Sequence, residues 1–174
     1  NKRAYKYNWL ILFFIILFSF QLINLDADPS PVKRWGDIGD EGYWVHNARL
    51  KVLFDNFQLD GLKMSYLGAP LFNILTYLSF KSFGVSFYSS RLVPIISLWL
   101  IIIMLFVMLK PHFGKGKAMV CAGLFGFMHE VLMYAKWGTP VVLEMCCLTM
   151  IIFFYSLGTK KWYYFYFSGF SFGL

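Results

Sequence analysis

Two adjacent carboxylates, Asp40 and Glu41, stand where a polar connection meets the amphipathic stretch Gly42-Tyr43-Trp44-Val45-His46-Asn47-Ala48-Arg49. Such a pair can do one of two things. A carboxylate held beside a low-dielectric surface can be tuned into a general base. The same pair can also cap a helix, because the positive end of the helix dipole favours acids in the first turn. Of the nine acids in the chain, only Glu130 and Glu144 lie outside the interval from Asp26 to Asp60. An acid-rich connection in an apolar chain is either a solvated linker or an active site, and these residues alone leave both readings open.

Other chemistries are poorly represented. His46, His112 and His129 are too scattered for a helical metal-ligand pair, and no metal site is expected. Cys121, Cys146 and Cys147 lie in apolar runs without zinc or disulfide spacing, and read as small core residues. Neither a P-loop nor a dinucleotide fingerprint is present, so a nucleotide site is not expected.

The elements that must position the acids are set by composition. Of 174 residues, 59% are hydrophobic and 14% charged, with a mean hydropathy of +0.59. A soluble domain of this size cannot hide that much apolar surface, so a bilayer is the natural solvent. The net charge of +7 does not imply nucleic acid. Lys2, Arg3 and Lys6 precede the first apolar run, and Lys110, Lys115, Lys117, Lys160 and Lys161 separate later ones. That is the positive-inside pattern, which also attracts anionic lipid.

The fold class expected is all-α and polytopic. Spans are predicted at about 9–25, 92–109, 118–135 and 141–157, with another starting at 162. Residues 26–91 form one exoplasmic loop holding two interfacial helices. The first helix begins with Asp40 at its N-cap and carries Tyr43, Leu50, Leu53, Phe54 and Phe57 on one stripe. Residues 66–83 could span or lie in the interface, and the distribution of lysines favours the interface. This topology puts Asp40, Glu41 and Lys136 on one membrane face. His129 and Glu130 lie near it, and Glu144 sits one turn inside the fourth span. All three are candidates to line a polar cavity, since a carboxylate within a span usually faces a cavity or a partner. The chain is expected to be the N-terminal part of a longer protein.

The stretch Asp40-Glu41-Gly42-Tyr43-Trp44-Val45-His46-Asn47-Ala48-Arg49 resembles the acidic first-loop signature of lipid-linked sugar transferases with the GT-C fold. The likeness continues through Ala69-Pro70-Leu71, Leu78-Ser79-Phe80-Lys81-Ser82-Phe83-Gly84-Val85 and Ser90-Arg91-Leu92-Val93-Pro94. These runs are similar to the dolichyl-phosphate-mannose protein mannosyltransferases and to bacterial aminoarabinose-transferase-like enzymes. The resemblance implies two interfacial helices in the first loop, Asp40 as the catalytic base and Glu41 as its support. It also implies a basic residue and then an acid at the outer start of the fourth span. Lys136 fits the first. The acid is expected near Val141, so Glu144 would have to substitute one turn deeper.

The activity so implied is inverting transfer of a sugar from a polyprenyl phosphate to an acceptor hydroxyl of a lipid, glycan or protein. Asp40 takes the proton, and Lys136, Lys63 or Arg49 offset the phosphate charge. The resemblance requires no cofactor beyond, at most, a divalent cation, and no nucleic-acid partner. It places the chain in a bacterial or archaeal plasma membrane rather than the endoplasmic reticulum. Two rival readings follow from the residues: a transporter or flippase subunit using His129, Glu130 and Glu144 as a polar path, and a scaffold in which Asp40 and Glu41 only cap a helix.

Overall fold

The computed structural model describes residues 2–26, 37–57, 68–159 and 161–172, without the side chains of residues 2–8, 10, 37–40, 170 and 172. The protein is all-α. Its helices are α1 (Lys2–Leu22), α2 (Asp37–Phe54), α3 (Pro70–Phe83), α4 (Phe87–Gly126), α5 (His129–Ala135), α6 (Val141–Gly158) and α7 (Tyr164–Phe172). Among the described residues there is no strand. Two helices, α4 and α6, are long and apolar enough to cross a membrane, and the apolar part of α1 is shorter.

α1 stops where Asn24 takes a left-handed conformation (φ 55°), a backbone state that Asn adopts more readily than most residues. α4 is two limbs joined at Gly114, whose φ of 75° favours glycine. The second limb folds back on the first. A Cβ on Gly126 would lie 2.6 Å from Ile102 Cδ1, although a straight helix would separate these residues by about 36 Å. The hairpin places Leu98, Ile101 and Ile102 against Ala118 and Ala122 in the main core, with Leu17 of α1 and Val142 and Cys146 of α6. Phe18 of α1 stacks on Trp99 with ring centroids 4.8 Å apart.

One side chain joins three segments of this core. Gln21 is fully buried. It donates to the Gly126 carbonyl (3.0 Å) and accepts from the Trp99 indole N–H (2.8 Å). An amide in an apolar bundle is tolerated only when its donor and acceptor are both used.

Two expectations change. Residues 118–135 are not one helix: α4 ends at Gly126 and α5 starts at His129, after non-helical Phe127 and Met128. α2 begins at Asp37, so Asp40 lies within its first turn instead of at the N-cap. Along α2, Glu41, Ala48 and Leu50 are buried while Leu53 and Phe54 are more than half exposed. α3 is 14 residues long, about 21 Å of helix against a hydrocarbon core of about 30 Å.

Replacing Gln21 by Leu leaves the Trp99 N–H and the Gly126 carbonyl unpaired in the core. We expect unfolding in detergent micelles to show a loss of about 1–3 kcal/mol. Unchanged stability would mean the amide is not a structural clamp.

Candidate active site

The site forms where four segments meet at one end of the bundle: the last residues before Asp26, the start of α2, the start of α4, and the turn between α5 and α6. Glu41 is its anchor. The residue is only 8% exposed, and its carboxylate accepts two bonds from Arg91, Nε to Oε1 at 2.9 Å and Nη2 to Oε2 at 2.8 Å. Ser90 Oγ donates to Oε1 at 3.0 Å. The Arg91 guanidinium also donates through Nη1 to the Leu25 carbonyl at 2.8 Å and lies 5.1 Å over the Phe87 ring. A planar fork on a carboxylate fixes both position and orientation, which a lysine could not do.

Arg91 reaches this place because α4 starts just before it. Ser86 caps α4, its hydroxyl accepting from the Ser89 backbone N–H at 3.2 Å. The α5–α6 turn closes over the pair. A Cβ on Gly138 would lie 2.8 Å from Glu41 Oε1 and 3.2 Å from Ser90 Oγ, so only glycine allows this approach. The adjoining Lys136 donates to the Ile23 carbonyl at 2.8 Å. Burial holds the Lys136 ammonium below the ordinary lysine range, because desolvation disfavours the charged form. Thr139 is buried next in the turn, and its hydroxyl has no hydrogen-bond partner among the described residues.

A cavity of about 310 Å³ opens beside this centre, lined by Gly68, Pro70, Phe72, Pro140, Glu144 and Cys147 among others. α2 adjoins its rim through Trp44, whose ring lies 3.6 Å from a Cβ built on Gly68. A second, apolar trough of about 490 Å³ runs between α3, α4 and α6, and Leu71, Leu143 and Cys147 line both spaces. The trough reaches Leu100 and Met150, nine residues along each helix from Arg91 and Val141, or about 13 Å of rise.

The expected site residues are thus sorted. Glu41 and Lys136 come together at one end, and Glu144 lines the cavity. Asp40 lies in the first turn of α2, with its side chain outside the described residues, and Lys63 lies wholly outside them. Arg49 is exposed and bonded to His46 Nδ1 at 3.1 Å. His129 and Glu130 are exposed in the first turn of α5 and do not line this cavity. Among the described residues no three His, Cys, Asp or Glu side chains could hold a metal. Sequence reasoning missed Arg91, Ser90 and Gly138 as site residues. The available signal was a single arginine at the edge of a long apolar run, but its partner lies 50 positions away.

Residues 68–174 match the family model described as dolichyl-phosphate-mannose-protein mannosyltransferase. The match includes Ser90, Arg91, Lys136, Gly138 and Glu144, whereas Asp40 and Glu41 precede it. Comparison with curated proteins and with solved structures gave no match.

Removing one partner of a buried ion pair strands the other charge, which costs roughly 3–5 kcal/mol, whereas replacing both by apolar residues is often neutral. Glu41→Gln and Arg91→Met should therefore each lower stability in micelles by that amount, and Glu41→Leu with Arg91→Met should recover most of the loss. Single variants as stable as the parent would show that the pair does not dock α2.

Proposed function

We propose, from the premise that the chain belongs to the dolichyl-phosphate-mannose-protein mannosyltransferase family, that this membrane glycosyltransferase seats a polyprenyl-phosphate sugar with its head in the Glu144 cavity and its chain in the apolar trough. The adjacency of the two spaces, which share Leu71, Leu143 and Cys147 in their walls, carries the reading. A lipid-linked sugar is one molecule with a polar and a greasy end, and it needs one path with both characters.

In this reading the sugar end lies beside the first turn of α2. Positions 40 and 44 share a helical stripe, and Trp44 packs at the cavity rim. Asp40 takes the proton of the acceptor hydroxyl as that oxygen attacks the anomeric carbon. The bond to the phosphate oxygen breaks on the opposite face, inverting the configuration, and the polyprenyl phosphate leaves with the bonding pair. Lys136 offsets the developing charge, and Lys63 is a second candidate for the same role. Arg49, already bonded to His46, is a weaker one. Glu41 is a positioning residue: its carboxylate is engaged by Arg91 and Ser90 and is not free to act as a base. The chain is multi-pass in this reading, with the site on the exoplasmic face.

A positioned general base contributes roughly 10²–10⁴ in rate. Asp40→Asn in the full-length protein should lose that much transfer from a polyprenyl-phosphate sugar, with insertion into the membrane unchanged by protease protection. Turnover equal to the parent would remove Asp40 from the mechanism. In Glu144→Gln the acid no longer faces the head group, and the expected change is in donor KM more than kcat. A change confined to stability would reduce Glu144 to a surface residue.

A further inference from the structure

The opposite end of the bundle carries a separate cavity of about 700 Å³, between the end of the first limb of α4 and the end of α6. His112 on its wall follows Arg91 by 21 residues, about 31 Å along a helix and close to the hydrocarbon thickness of about 30 Å. The cavity therefore lies at the other membrane interface, away from Glu41 and Arg91. Its apolar lining includes Val107 and Phe153, and its polar lining His112, Ser156 and Thr159, the two hydroxyls donating to the Phe153 and Ser156 carbonyls.

The surroundings have one sign of charge. The chain has no Asp or Glu between residues 61 and 129, and none after Glu144. Lys110, Lys115 and Lys117 flank the Gly114 turn, and Lys161 follows α6. Lys115 Nζ sits 5.4 Å over the Trp9 ring, which brings the start of α1, with Lys2, Arg3 and Lys6 in its sequence, to the same end. Lysines flanking an apolar slot between helices have the chemistry of an anionic lipid site. A free phosphate would use the lysines and leave the apolar wall uncovered.

We propose that this cavity binds one anionic phospholipid, its acyl chain against Val107 and Phe153 and its phosphate at His112, beside Lys110. The site is distinct from the glycosyl-transfer centre and independent of that assignment. It would make the protein's packing at this interface sensitive to membrane composition.

The test is lipid retention. The chain is reconstituted in nanodiscs of equal phosphatidylglycerol and phosphatidylcholine, extracted in mild detergent, and weighed with bound lipid by native mass spectrometry. We expect one phosphatidylglycerol retained with about five-fold preference. The preference should disappear in Val107→Trp, which fills the slot, and fall in His112→Ala with Lys110→Ala. Lys81→Ala, on α3, should leave it unchanged. Equal retention of the two lipids would overturn the proposal. So would a preference that survives Val107→Trp, which would indicate diffuse surface attraction, or displacement of the lipid by inorganic phosphate alone.

Discussion

The bidentate pair between Glu41 and Arg91 is the constraint on which the arrangement depends. Burying two charges is unfavourable unless every lone pair and proton finds a partner. Here Ser90 and the Leu25 carbonyl supply further partners, the Ser90 hydroxyl being shared with the Phe87 carbonyl. Because the pair is satisfied only in one geometry, it fixes where α2 starts relative to α4, and it draws the end of α1 and the Gly138 turn to the same point. In the proposed function the two acids of the motif have different tasks: Glu41, whose carboxylate is committed to Arg91, holds the helix, and Asp40 is assigned the chemistry.

This division suits an enzyme that works at a membrane surface. In the proposed seating the cavity with Glu144 takes the polar head, and the trough with Leu75, Ile96 and Leu100 takes the hydrocarbon chain. Family membership supplies glycosyl transfer with a lipid-linked donor as the chemistry in general. The transporter alternative drew on His129, Glu130 and Glu144 as one path. All three are exposed, and of them Glu144 lines the cavity while His129 and Glu130 on α5 do not.

Some of this was readable in the residues. Long apolar runs between lysine clusters announced helices, since a single segment can satisfy its own backbone in hydrocarbon only as a helix, and Pro70 marked the start of α3. The turn at Gly114 was foreshadowed by Pro111, Gly114 and Gly116. The break at Phe127 and Met128 was not, because both residues are as apolar as their neighbours and the interruption depends on tertiary packing of Gly126. The start of α2 was placed too late because Asp37 serves as a first-turn acid as well as Asp40 does. The role of Glu41 was hidden by distance: a pair 50 residues apart leaves no periodic trace, and the arginine read only as part of a motif. Glu144 was legible as an unusual charge in a span, but the cavity it faces comes from three helices packing together.

The most direct measurement is photo-crosslinking in native membranes with a polyprenyl-phosphate sugar carrying a diazirine on the first isoprene unit, followed by peptide mapping. If the acidic helix is docked over the mouth of the substrate path, label will fall on residues 68–72 and 140–148, and will be lost when Glu41→Gln undocks α2. Label concentrated instead on residues 107–112 and 153–159, or label at the first sites that is indifferent to Glu41→Gln, would contradict the account.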